Sequence, residues 1–147
     1  MKQSLTIAIG ADHGGPALKA SLVAQLRAAG HTVLDMGTDG PARVDYPDFA
    51  HPVCAAVESG QARFGILICG TGIGMSIAAN RHRGIRCGLC TDVTMARLTR
   101  EHNDANVLAL GARIIGEAVA ADIVAAFLAA KYEGGRHQDR LDKLNPA

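Results

Sequence analysis

The chain has no tryptophan, and its 147 residues include only three phenylalanines and two tyrosines. Proteins that hold single-stranded nucleic acid stack bases on aromatic rings, so this scarcity argues against base stacking as a binding device. Charge of one sign is missing as well: 15 basic and 14 acidic residues leave a formal charge of +1 with histidine neutral. No field of that size gathers nucleic acid or an anionic membrane surface. Long apolar runs are absent too. The N-terminal run ends at Asp12, and the later run over 118–130 is interrupted by Asp122 and too short for a bilayer. No targeting segment is visible. The four cysteines, without a secretory signal, read as free thiols rather than a disulfide framework. These absences predict a soluble cytoplasmic protein with neither membrane nor nucleic-acid partners, folded as a single domain over 1–147.

What is present is alternation. Residues 5–10 read as a strand, after which Leu18, Leu22, Val23 and Leu26 give a helical stripe closed by Gly30. A second strand over 31–37 precedes a turn-rich loop. Phe49, Val53, Ala56 and Val57 then mark a helix ending at Gly60, with Pro52 placing the start of its regular part near that residue. Strands over 64–69, 85–90 and 106–110 follow, separated by helices over about 72–80 and 92–103, the latter with Asp92 as its N-cap. Val119, Ile123, Val124, Phe127 and Leu128 line a last long helix, and a polar tail over 133–147 closes the chain. Strand and helix alternating in this way predict an α/β protein, a parallel sheet with helices on both faces. Cys87 and Cys90 form a CxxC, but a second CxxC is missing and Ile85, Cys87 and Leu89 alternate as in a strand. A buried strand is therefore favoured over a zinc or redox site. With no other cluster of His, Cys and carboxylates at ligand spacing, neither metal nor cofactor is expected.

In parallel α/β sheets, ligands bind beyond the carboxyl ends of the strands. Asp12 and His13 follow the first strand there, Cys69 and a glycine loop the third, Asp92 the fourth, and Gly111 and Arg113 the fifth. The loop CGTGIGM lacks the third glycine position of a dinucleotide fingerprint, where Met75 stands, and lacks the Gly-Lys-Ser/Thr ending of an ATPase loop. Gly70, Thr71, Gly72, Ile73 and Gly74 instead offer backbone N–H groups at a helix N-terminus, a cradle for a phosphate or a developing oxyanion. Most cysteines are small buried hydrophobes. Cys69, at a strand end beside that cradle, stands where its sulfur can meet a ligand. His102 and Asn103 pose a geometric problem. They close the helix after the fourth strand, about 16 Å from the edge that holds Cys69. His102 is either a C-terminal partner of the helix dipole or a residue that serves a second subunit's site. Arg136 and Arg140, on one face if helical, form either a solvated surface or a phosphate clamp.

The blocks GADHGG, DYPDFA, ILICGTGIGMSIAAN, REHNDANVLALGAR and YEGGRHQDR resemble, in order and spacing, the ribose-5-phosphate isomerase B family, which includes allose-6-phosphate and galactose-6-phosphate isomerases. The resemblance covers nearly the whole chain. It implies a Rossmann-like three-layer α/β/α fold with a five-stranded parallel sheet, metal-free interconversion of aldose and ketose phosphates, and a homodimer or dimer of dimers with shared active sites. The 133–147 tail then contacts a second subunit. By the same resemblance Cys69 is the proton-transferring base, and His102 assists sugar-ring opening, with Asp12 or Thr71 as its helper. Asp12, His13, Gly70, Thr71, Gly72, Ile73, Gly74 and Asn103 match substrate-binding positions, and Arg113, Arg136 and Arg140 match phosphate and substrate contacts. One branch of the family carries a carboxylate base six positions on; Met75 stands there, which points to the thiol branch. Ribose 5-phosphate is the substrate implied, with allose 6-phosphate or galactose 6-phosphate as alternatives. A non-catalytic flavodoxin-like phosphate- or nucleotide-binding module is the rival of another class, and the missing nucleotide fingerprint counts against it.

Overall fold

The computed structural model describes residues 3–146. Its strands are β1 (Thr6–Ala11), β2 (Thr32–Asp35), β3 (Phe64–Cys69), β4 (Cys87–Leu89) and β5 (Val107–Gly111). Its helices are α1 (Pro16–Ala28), α2 (Tyr46–Glu58), α3 (Ile73–Ala79), α4 (Val93–Asn103), α5 (Glu117–Ala129) and α6 (Arg136–Leu141). Every strand pairing is parallel, in the order β2-β1-β3-β5-β4. The three central strands are nearly continuous apolar runs because a parallel sheet is covered on both faces, and β3 and β5 are buried at every position.

The two faces differ in character. On one, Ile7, Ile9, Ile66, Ile68, Leu108 and Leu110 pack against Leu22 and Leu26 of α1 and Ile123, Val124 and Phe127 of α5. On the other, the sheet presents small residues, Ala8, Val107 and Ala109 around Leu67, to Ala50 and Val53 of α2 and Met75 and Ala79 of α3. The small side chains let α2 approach closely: a Cβ on Gly65 would stand 2.7 Å from Val53 Cγ1. This is the three-layer α/β/α arrangement that the alternation predicted. Since α1 leaves β1 toward one face and α3 leaves β3 toward the other, the carboxyl ends of these neighbouring strands open into a crevice.

Two elements differ from the sequence reading. Helix α2 starts six residues before Pro52 rather than near it, with Pro47 in its first turn. Proline is pre-organised for a first turn. Pro52 lies on the exposed side, where it deletes one helical hydrogen bond, while Ala50, Val53 and Cys54 are buried against the sheet. Packing outweighs the local break. The polar tail contains a helix as well, α6, which buries His137. The Asp92 cap is as expected, its carboxylate accepting the Met95 N–H at 2.8 Å. Among the described residues no helix is long and apolar enough to cross a membrane.

Candidate active site

Residues from three strands meet at the crevice. The Asp12 N–H donates to the Ile68 carbonyl (3.0 Å), which ties the exit of β1 to β3. The Asp12 side chain then turns back, its Oδ1 accepting the Gly14 N–H at 2.8 Å. The residue is 8% exposed, a buried carboxylate at the mouth of a cleft. Gly14 leaves room for this turn, since a Cβ there would lie 3.2 Å from Asp12 Oδ1 and touch the glycine loop at Gly70 N, 3.4 Å away. His13 sets its Nδ1 against the Val44 backbone, 3.2 Å from the N–H and 3.1 Å from the carbonyl, so the tautomer decides which is bonded.

Cys69 is the last residue of β3, and its Sγ accepts the Gly72 N–H at 3.1 Å. Gly72 caps α3 in the left-handed conformation (φ +79°), and a Cβ on it would collide with the Leu110 carbonyl carbon at 2.9 Å. Across the loop, a Cβ on Gly111 would fall 2.5 Å from the Thr71 carbonyl oxygen. The cradle is thus seated directly on the end of β5, where no side chain fits. Thr71 Oγ1 accepts the Ile73 N–H at 3.2 Å. The Arg113 N–H donates to the Gly70 carbonyl (2.9 Å), and its guanidinium carbon lies 3.8 Å from where a Gly70 Cβ would be. Thiol, carboxylate, imidazole, N–H cradle and guanidinium therefore converge at one edge, as the sequence predicted.

Two features there were not read from sequence. Gly74 does more than allow a turn: a Cβ on it would meet the Tyr46 ring at 2.8 Å. Tyr46 is 39% exposed and, with Asp12, His13 and Arg43, lines a cleft of about 520 Å³. The motif DYPDFA carried the family resemblance, but only the fold shows its tyrosine against the glycine loop. The loop that bears Arg43 and Val44 is moored by Lys19, whose buried ammonium binds Asp35 Oδ1 at 2.7 Å and Asp39 Oδ1 at 2.6 Å.

The other predicted residues stand at the opposite edge. Cys69 is in register with Gly111, the last residue of β5, whereas His102 and Asn103 close α4 just before β5 begins. Arg100 fixes this end: it lies under the Phe64 and Phe127 rings and its Nη1 binds Asp104 Oδ1 (2.8 Å) and the Ala105 carbonyl (2.7 Å). Asn103 lines a second hollow with Arg86, Leu141 and Leu144. The His102 ring stacks on His137 at a centroid distance of 4.4 Å and 14° between planes. Glu133 Oε1 faces both, 3.4 Å from His102 Nε2 and 3.5 Å from His137 Nε2. Arg136 and Arg140 are exposed on α6, and neither has an ion-pair partner among the described residues. One chain thus carries two half-sets at opposite ends of the sheet. His102, Glu133 and His137 also form a group at metal-ligand distances, which their sequence spacing does not show.

Burial dominates the chemistry of the other three thiols. Burial first, then the Glu58 carboxylate, pushes the Cys54 thiol up to about 12; burial and then Asp92 do the same for Cys90, to about 12. Cys87 is raised further, by burial above all. Such thiols resist ionisation; the CxxC is not the buried strand expected, since Cys87 is half-buried on the short edge strand β4 and Cys90 is buried just beyond its end.

Known proteins resemble the chain over nearly its whole length. Ribose-5-phosphate isomerase B of Escherichia coli is 51% identical to the chain over 138 residues, 94% of this chain and 93% of that protein. The structure of Clostridium thermocellum ribose-5-phosphate isomerase B superposes with a TM-score of 0.94 at 52% identity, covering 95% of each chain. That of the Thermotoga maritima ribose 5-phosphate isomerase does so with a TM-score of 0.96 at 48% identity, over 99% of this chain and 100% of that one. The sequence also matches the family model described as Ribose/Galactose Isomerase over residues 7–144, and to that family of sugar-phosphate isomerases this chain belongs.

Proposed function

We propose that the protein interconverts ribose 5-phosphate and ribulose 5-phosphate through a cis-enediolate, without metal or cofactor, with Cys69 as the base. The observation that carries this reading is the Cys69 sulfur held at 3.1 Å on the N–H of Gly72, beside the cradle. Base and oxyanion cradle must be neighbours, because they act on adjacent atoms in one transition state. The sugar is mostly a closed ring. A His102 imidazole moves the proton that opens it, with Asp12 or Thr71 as helper. The Cys69 thiolate then takes the proton from C2, and the electron pair moves to make the C1–C2 double bond while the C1 carbonyl oxygen becomes the oxyanion. N–H groups of residues 70–74 hold that charge, those of Gly72 and Ile73 by turning toward it from Cys69 Sγ and Thr71 Oγ1. As the C2 carbonyl forms, the O2 proton leaves, a proton reaches O1, and the thiol returns its own proton to C1.

His102 and Cys69 lie too far apart in one chain for this sequence of steps. In the reading proposed here each site takes Cys69, Asp12, His13, Thr71 and Arg113 from one protomer and His102, Asn103, Arg136 and Arg140 from its partner. The protein then works as a homodimer with two shared sites, alone or as a dimer of dimers, and the 133–147 tail reaches the second subunit. Free thiols, three of the four buried, support a cytoplasmic location. Galactose in the family description favours six-carbon sugar phosphates as the second reading. An isomerase assay over ribose, allose and galactose phosphates tests both. The expected result is the highest kcat/KM on ribose 5-phosphate; a preference for a six-carbon phosphate would replace the substrate, and no turnover of any would end the proposal.

A further inference from the structure

The group formed by His102, Glu133 and His137 has a geometry that its own chemistry does not explain. Two left-handed glycines, Gly134 (φ +65°) and Gly135 (φ +59°), turn the chain between α5 and α6 so that Glu133 and His137 face the same side. The Glu133 N–H donates to the Glu101 carbonyl at 3.0 Å, which pins this turn against the end of α4 beside His102. All three donor atoms lie within 4.8 Å of one another. Yet the 3.4 Å and 3.5 Å from the two Nε2 atoms to Glu133 Oε1 are longer than an N–H···O bond, and neither imidazole makes a hydrogen bond among the described residues. The His137 side chain is only 6% exposed, and its Nε2 faces the carboxylate at 3.5 Å without a hydrogen bond to it.

The two nitrogen–oxygen separations, 3.4 Å and 3.5 Å, match those between ligands of one ion, while the group as a whole spans up to 4.8 Å. With zinc–nitrogen and zinc–oxygen distances of about 2.0–2.2 Å, tetrahedral ligand atoms stand about 3.3–3.6 Å apart. We propose that His102, Glu133 and His137 form a binding site for a borderline divalent transition ion such as Zn²⁺, and that an ion bound there inhibits the isomerase by occupying the His102 lone pair. Two imidazoles and one carboxylate exclude magnesium and calcium, which take oxygen ligands, and leave a fourth position for water. In the single chain the side chains of His102 and Glu133 are 37% and 53% exposed, and in the proposed homodimer an ion would enter through the sugar-phosphate site that they border. Binding needs the half-exposed His102 ring to rotate out of its stack on His137, so that the two nitrogens converge on one point. The inhibition, unlike the site itself, rests on the role proposed for His102.

The test uses the intact protein and ZnCl₂ alone. Calorimetry should show one ion bound per chain, and E133Q should weaken it at least about tenfold. Glu133 is half exposed, so this variant keeps the fold, as its melting temperature will show. Co²⁺ should give the visible spectrum of nitrogen and oxygen ligands without a thiolate charge-transfer band. Zn²⁺ should inhibit the wild type over the concentration range in which it binds, and inhibit E133Q about tenfold less sensitively, each measured against its own ion-free rate. Absence of binding, equal binding by E133Q, or a thiolate band would overturn the site and leave the isomerase reaction untouched. Binding without inhibition would overturn the coupling and with it the role of His102, while the ion site would stand.

Discussion

Cys69 differs from the three other cysteines by one contact, the N–H of Gly72 on its sulfur. If it moves the C2 proton, Cys69→Ala should lower kcat by about 10²–10⁴-fold, the range usual for a general base, and leave substrate affinity nearly intact. Cys87→Ala, at a thiol that burial keeps neutral, should leave kcat close to wild type. Steady-state kinetics on both variants decide this: a damaging Cys87→Ala with a tolerant Cys69→Ala would reverse the assignment. At this scale the sequence was informative where a residue's place follows from strand order. Cys69, Asp12 and Arg113 could be put at one edge because each follows a recognisable strand. Tyr46 could not, since nothing local tells that its ring fills the space a Gly74 side chain would need. Nor could the His102–Glu133–His137 group be seen, because the residues come from two elements joined only by packing.

Lys19 couples α1 to the loop after β2. Burial alone would lower the affinity of its amine for a proton, but Asp35 and Asp39 outweigh it and the pKa is raised. Burial likewise opposes ionisation of Asp35, and the Lys19 ammonium outweighs it, so that pKa is lowered. The signs fix the pH window. The carboxylate contribution is present above the unfolded value of about 3.9 and lost as pH falls through the folded one. The amine contribution is present below about 10.4 and lost as pH rises through the folded value. Lys19→Met keeps the apolar stem and removes the charge. Since Asp35 and Asp39 remain partly hydrated (31% and 80% exposed), it should cost about 1–2 kcal/mol near neutrality. In thermal melts that is a fall in Tm of about 2–8 °C between roughly pH 5 and 10, narrowing at both ends; a pH-independent fall would assign the loss to packing.

Helix α6 makes a separate point about elements. Six residues are too few for a helix to be stable by propensity, and its buried side is essentially His137, so neither period nor length revealed it. The start of helix α2 was misplaced by Pro52, a local signal that its buried Ala50 and Val53 overrule. The central strands β3 and β5 were legible for the opposite reason: burial on both faces writes itself as an apolar run. Being helical, α6 carries Arg136 and Arg140 on one face. Neutralising either to Gln should raise KM for phosphorylated sugars about tenfold or more and leave the poor turnover of free ribose unchanged. Equal losses on both kinds of substrate would make α6 structural instead.

At the scale of the whole molecule, the opposite ends of the sheet separate two half-sets, and the proposed homodimer reunites them. Cys69→Ala and His102→Ala proteins should each be impaired. Refolded together in equal amounts, they should regain about a quarter of wild-type activity, because half the dimers are mixed and each mixed dimer has one complete site. Mass spectrometry would confirm the mixed dimers. No recovery in their presence would refute the shared site.

The distance between the two half-sets also ties catalysis to mass action. A protomer by itself would fold, melt cooperatively and present a thiol in its cradle, yet catalyse almost nothing. Specific activity should therefore fall on dilution, along the same curve that sedimentation or light scattering gives for dissociation. Saturating sugar phosphate, bound by both chains at once, should shift that curve to lower protein concentration. Substrate would then be part of what holds the enzyme together.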